Sequence, residues 1–154
     1  MKKNKFSKNW VIKQRRDFFF KKSKLEGYRS RAVYKLQEID KKYKIFKNGQ
    51  SIIDLGASPG SWSQFVSKKV KNGKIISIDI KEMNKIPNTF QIIGDFLEIK
   101  YQNEITKCLN NKKVDLVLSD MANNTSGNKN LDAILTGELC LEAMRFANQV
   151  LKKD

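Results

Sequence analysis

Histidine is missing from all 154 residues, which removes imidazole acid–base chemistry and most zinc sites. Catalysis in such a chain must run on carboxylates, lysines, hydroxyls and backbone groups, and no metal is expected. Cysteine is almost missing. Cys108 and Cys140 stand far apart without CxxC spacing, as expected of two reduced thiols in a cytoplasmic protein. Proline occurs only as Pro59 and Pro87, and no Gly/Ser/Pro-rich linker or internal repeat divides the chain. No apolar run approaches the ~18–20 residues of a membrane span. The basic start, Met1 to Lys8, leads into no apolar signal core, so neither membrane nor secretion is expected. With 40% hydrophobic residues and nine Phe, there is enough apolar surface for one globular domain, expected as a monomer.

Acid is scarce in one region only. Residues 1–48 hold 17 Lys and Arg against 4 Asp and Glu, a net of +13; residues 49–154 hold 14 against 12, a net of +2. Lysine-rich codon drift raises Lys throughout and does not explain why acids balance bases only after residue 48. Local excess charge of this kind drives phosphate contacts and counterion release, so residues 1–48 read as a polyanion-binding segment with a first helix. They lack a clean basic amphipathic helix, which disfavours an anionic membrane.

A helix is expected over Asn9 to Lys22. Its Phe18-Phe19-Phe20 run suits base stacking, but such runs are more often core, and core is the expectation. Ser30 is expected to cap a helix from Arg31 to Tyr43 whose Ala32, Leu36, Ile39 and Tyr43 face inward, with Lys35 flanking that stripe. From Gly49 onward strands and helices alternate. Ser51–Leu55, Lys74–Ile80, Phe90–Ile93 and Val114–Leu118 read as strands; Trp62–Val70, Glu104–Leu109 and Ile134–Leu151 read as helices. That rhythm implies parallel βαβ units, an α/β doubly wound sheet whose ligands bind at the carboxyl ends of its strands. Asp54, Gly56, Gly60, Asp79, Asp95 and Asp120 collect at those ends.

The turn Asp54-Leu-Gly56-Ala-Ser-Pro59-Gly60 is not the three-glycine dinucleotide fingerprint. Asp54 and Asp120 would repel a pyrophosphate and attract a cation. S-adenosylmethionine, with a sulfonium and an α-ammonium, fits better than a nicotinamide. Gly56 and Gly60 would let backbone approach it, Asp79 would take two ribose hydroxyls, and Asp95 the adenine amino group, with Phe96 beside the ring. One Asp at a strand end is usually a turn residue or cap. Four on successive strands outweigh that reading.

Four segments carry a resemblance: Ser30-Arg-Ala-Val-Tyr-Lys35-Leu, Asp54 through Trp62-Ser-Gln64, Gly94-Asp-Phe96, and Ser119-Asp120-Met-Ala-Asn-Asn-Thr-Ser-Gly127. In order and spacing they resemble the FtsJ family of RNA methyltransferases, from about Ser7 to the chain end. The resemblance implies a Rossmann-like S-adenosylmethionine-dependent fold, with residues 49–154 as the donor-binding domain. It implies 2′-O-methylation of a uridine ribose in 23S large-subunit ribosomal RNA, with that RNA or the large subunit as partner. The family's Lys-Asp-Lys-Glu catalytic tetrad maps its first Lys to Lys35 and its Asp to Asp120. Gly60, Trp62, Asp79, Asp95 and Asp120 match its donor-binding positions, and Arg29 and Arg31 are candidate phosphate contacts beside Lys35.

Ser58 and Ser61 replace the small residues usual in that turn, and Asn123 stands where Pro is usual, loosening the loop. The second Lys and the Glu belong to later strands, and the 154 residues hold no counterpart. The expectation is a shortened member with negligible methyl transfer of its own, or a non-catalytic binding remnant. The family strand order 3-2-1-4-5-7-6 would then leave strand four as an edge exposing Val114, Leu116, Val117 and Leu118. Lys152 and Lys153 are expected as solvated helix-end charges. Amino-methylating enzymes carry an Asp/Asn-Pro-Pro-Tyr/Phe loop that Ser119-Asp120-Met121-Ala122 lacks. Cys108 and Cys140, in helix-like stretches, read as core rather than as carbon-methylating nucleophiles.

Overall fold

A computed structural model describes residues 17–122 and 126–153. In chain order these form α1 (Phe18–Leu25), α2 (Val33–Tyr43), β1 (Ser51–Leu55), α3 (Ser61–Lys69), β2 (Lys74–Asp79), β3 (Thr89–Ile93), α4 (Ile99–Cys108), β4 (Leu116–Ser119) and α5 (Lys129–Val150). The four strands are parallel in the order β3-β2-β1-β4, with Ile53 beside Ile76 on one side and Val117 on the other. The doubly wound α/β sheet expected from the alternation is present.

Strand periodicity splits the core in two. Ile53, Leu55, Ile76 and Ile78 pack with Phe96, Ile105, Phe146 and Val150 of the α4–α5 side. Ile52 and Ile75 point the other way, into Leu36, Trp62 and Val66 of α2 and α3. Both faces are covered, which is why β1 and β2 read as continuous apolar runs rather than alternating ones. No described helix is long and apolar enough to cross a membrane.

Element starts depart from expectation for physical reasons. The Asn9–Asp17 part of the first expected helix lies largely outside the described residues. What is described begins at Phe18, with Asp17 as cap accepting from the Phe20 N–H at 3.1 Å. Phe18 and Phe19 are exposed rather than core. Ser30 is not the cap of α2: its Oγ closes a turn with the Ala32 N–H and shares a hydrogen bond with Ser61 Oγ at 2.7 Å. The inward stripe of α2 is Val33, Leu36 and Asp40, with Ile39 and Tyr43 exposed. The helix turns that way because the Asp40 carboxylate is used inside, accepting from the Phe46 N–H and from Lys69 Nζ at 2.9 Å. A buried carboxylate so paired is tolerated where a lone one is not. Helices α4 and α5 each start about one turn earlier than their apolar residues announce, α5 because Asn128 caps it.

Strand β4 is an edge in the described sheet, yet its apolar residues are not laid open. Val114 and Leu118 are buried, and Leu116 and Val117 are half-buried, because helices cover both faces of the strand. Val114, two residues before β4, bridges Leu151: its N–H donates to Val150 O, and its carbonyl accepts from Lys152 N, each at 2.9 Å. Lys152 is therefore not a loose helix-end charge. Its Nζ meets Asp115 Oδ1 at 2.6 Å, and Asp115 also accepts from the Ser51 N–H. That ammonium and amide hold the Asp115 carboxyl below the usual carboxylate range. Cys108 is half-buried on α4, but Cys140 is exposed, against the expected core placement.

Candidate functional site

After Leu55 the chain must turn sharply over β2. Gly56 (φ +72°) makes that turn, and the N–H groups of Gly56 and Ala57 both donate to Ile78 O, at 2.9 and 3.0 Å. A side chain at Gly56 would overlap Met121, so glycine also lets the loop after β4 close against the turn. Between this turn and the ends of β2, β3 and β4 opens a cavity of about 420 Å³ whose wall includes Gly56, Asp79, Lys81, Asp95, Asp120 and Met121.

Three of the four strand-end acids reach that wall. Asp79 accepts one backbone N–H on each carboxylate oxygen, from Ser58 at 2.9 Å and Lys81 at 2.8 Å, which fixes its plane and leaves lone pairs free. Asp95 Oδ1 accepts from the Leu97 N–H at 2.9 Å. Asp120 stands at the rim, its Oδ1 2.7 Å from Lys35 Nζ on α2. Lys35 and Asp120 are 85 residues apart in sequence and meet as ammonium to carboxylate.

Asp54 does not join them. It is 1% exposed beneath the turn, where Ser63 Oγ donates to its Oδ2 at 2.5 Å and in turn contacts Ser77 Oγ at 2.6 Å. Burial pushes its carboxyl up to about 7, with Asp120 and Asp79 adding to the rise, although the bonds from Ser63 oppose it. The cause of its placement is strand period: β1 is covered on both faces, so its fourth residue is sealed like its neighbours.

Packing places four further residues away from the cavity wall. Trp62 is buried in the α2–α3 core, and its Nε1 donates to Ala32 O at 2.8 Å, pinning the start of α2 rather than lining the cavity. Gly60 (φ +101°) is absent from the wall; a side chain there would sit 2.7 Å from Arg29 Nη1. Arg29 is committed inside the protein: its guanidinium donates to Pro59 O, Asn84 O and Lys85 O at 2.8–3.1 Å, tying the glycine turn to the loop after β2. Arg31 pairs with Asp17 and keeps an exposed side chain. Phe96, expected beside a bound ring, is 4% exposed and stacks edge-on to Phe146 at 5.2 Å, while the next residue, Leu97, lines the cavity.

Lys81, Met121 and Ile80 on the wall were not expected from the sequence. Ile80, 63% exposed, carries a readable signal: an apolar residue just past a strand-end acid. Asn123 lies outside the described residues.

Comparison with known proteins gives the family. Residues 28–154 match the FtsJ-like methyltransferase family model. The chain is 58% identical to the ribosomal RNA large subunit methyltransferase E of Pelagibacter ubique (strain HTCC1062) over its whole length, covering 75% of that protein. It is 43% identical to the protein of the same name from Legionella pneumophila (strain Lens), over 99% of this chain and 74% of that one. A solved Plasmodium falciparum protein described as a ribosomal RNA methyltransferase superposes with a TM-score of 0.71 at 39% identity, over 81% of this chain and 73% of that one. With the glycine turn, the strand-end acids and the Lys35–Asp120 pair lying inside the matched span, the chain belongs to the FtsJ-like methyltransferase family.

Proposed function

We propose that these residues bind S-adenosylmethionine in the strand-end cavity and present it to the ribose 2′-oxygen of a uridine in large-subunit ribosomal RNA. The observation that carries this reading is the Lys35–Asp120 pair at the rim of a cavity walled by Asp79 and Asp95. The family match and the names of its relatives support ribosomal RNA as the substrate.

The donor set suits a cationic nucleoside. A cavity of about 420 Å³ is within the ~300–1,000 Å³ range of small-ligand sites. Asp79 has its plane fixed by two N–H groups and its remaining lone pairs free for ribose hydroxyls. Ile80 and Leu97 offer apolar surface for a flat ring, with Asp95 beside them to accept an amino hydrogen. Asp120 supplies negative charge facing a sulfonium or ammonium. Bound S-adenosylmethionine would supply an electrophilic methyl carbon with an already activated leaving group.

Lys35 would donate a hydrogen bond to the ribose oxygen, and Asp120 would hold that ammonium in place. Tied to Asp120 at 2.7 Å, Lys35 is placed to orient the ribose oxygen. Among the described residues no other lysine meets Asp120, and Asp79 and Asp95 already accept backbone N–H groups. The described residues are therefore expected to bind donor and RNA while supplying little methyl transfer of their own.

Calorimetry with S-adenosylmethionine tests the donor site. Asp79→Asn should weaken uptake about 10-fold or more, the scale of charged hydrogen bonds, while Lys35→Ala leaves it nearly unchanged. No uptake by the wild-type chain would overturn the reading. Labelled donor with ribosomal RNA tests the methyl transfer: sustained turnover by this polypeptide would refute the expected inactivity.

A further inference from the structure

Helix α1 turns its aromatics outward. Phe18 is 69% exposed and Phe19 51% exposed, although three consecutive Phe residues normally seek a core. The rings are ordered against one another. Phe18 meets Phe19 edge-on at 5.5 Å, Phe19 leans on Tyr34 of α2 at 5.4 Å, and Lys22 Nζ lies 4.8 Å above the Tyr34 ring.

Beyond the Phe19–Tyr34 contact, polar groups hold the helix. Ser23 is fully buried, its Oγ donating to Phe20 O at 2.8 Å and its carbonyl accepting from the Tyr28 N–H at 2.8 Å. Asp17 pairs with Arg31, and Tyr34 Oη donates to Glu26 Oε2 at 2.9 Å. With these ties fixing α1, the exposed faces of Phe18 and Phe19 are open to meet something else.

Charge decides what that is. Residues 17–36 contain six Lys and Arg and only two acids, Asp17 and Glu26. Both acids are already engaged, with Arg31 and with Lys22 and Tyr34, so Lys21 and Lys24 flank the rings without a carboxylate partner among the described residues. Aromatic faces beside spare ammonium groups match a polyanion that also offers flat π surfaces. In duplex RNA the bases are stacked on one another and withheld; in single strands they are not. Tyr34 and Lys35 share the first turn of α2, and Lys35 Nζ sits at the cavity rim, so the platform and the Lys35–Asp120 pair are carried by the same helix end.

We propose that Phe18 and Phe19, backed by Tyr34, form a stacking platform for unpaired bases of the RNA adjoining the target nucleotide. The platform rests on the RNA reading above and adds where, and by which contact, the strand is held.

The test is anisotropy of a labelled single-stranded RNA against the 154-residue chain across a salt series. Wild-type binding is read first; its absence would overturn the RNA reading and the platform together. Given wild-type binding, Phe18→Ala with Phe19→Ala should weaken it by on the order of 5- to 100-fold, the scale of base–aromatic stacking. The slope of log affinity against log salt should stay unchanged, because no phosphate contact is lost. Phe18→Trp should retain or raise affinity, and binding of a blunt RNA duplex should be insensitive to all three changes. Lys21→Ala should instead flatten the slope by about 0.7. Unchanged affinity in the double variant, an altered slope, or an equal loss with the duplex would each overturn the proposal. So would the same variant losing anionic vesicles rather than RNA. Because both side chains are exposed, a matching melting temperature for the variants is expected and guards against loss through unfolding.

Discussion

Asp54 shows how much one side chain's direction matters. The residue type and its position at the end of β1 were legible, but which way it points depends on what covers the strand. Sealed under the turn, it is held up at about 7 by burial, and its proton binding differs between folded and unfolded chains. An unfolded Asp titrates near ~3.9. Between about pH 4 and 7 the unfolded chain has released a proton that the folded chain keeps, so stability falls as pH rises through that window and levels off above it. Asparagine cannot ionise. Relative to wild type, Asp54→Asn should gain on the order of 2 kcal/mol from pH 5 to pH 8, read by urea melts at both values. A stability difference that stays flat with pH would mean the carboxyl is ionised in the folded protein. Trp62 and Phe96 teach the same lesson: the motif located them, while their burial assigned them to packing and handed the cavity wall to Leu97.

Elements were legible where two faces had to be buried and less so where a polar group set the phase. The inner strands β1 and β2 announced themselves because a sheet covered on both sides needs continuous apolar residues. Four strands, their order of appearance and the helices between them followed from that pattern. Helix α2 was misphased because an apolar stripe was sought at Ala32, Leu36, Ile39 and Tyr43, whereas Asp40 turns inward with Lys69 as its partner. The start of α5 was late for a similar reason: its Asn128 cap and polar first residues carry no apolar signal. The phase of α2 is measurable. Leu36 is 1% exposed and Ile39 is 40% exposed. Leu36→Ala should cost about 2–5 kcal/mol, and Ile39→Ala about 1 kcal/mol or less, by chemical denaturation. Equal losses at the two sites would restore the stripe first expected from the sequence.

Across the whole molecule, charge is sorted by task. Bases crowd residues 1–48, while the later part is nearly neutral and places Asp79, Asp95 and Asp120 together at the ends of the sheet. On the proposed reading a polyanion and a cationic nucleoside would be drawn to different surfaces, which meet where Lys35 pairs with Asp120. That separation was visible in composition before any strand was placed; the contact joining the two surfaces, 85 residues apart in sequence, was not visible in composition or periodicity. The two surfaces differ in how they respond to salt. Phosphate contacts release counterions, so four of them on a single strand should cost on the order of 50-fold in RNA affinity from 50 to 200 mM salt. A small cation held inside a cavity by close carboxylates displaces few ions, and its affinity should change by about threefold or less over the same range. Parallel titrations of RNA and S-adenosylmethionine on one preparation make the comparison. If both fall together, a shared electrostatic surface binds the two ligands, and the division of labour between the basic segment and the acidic sheet ends is wrong.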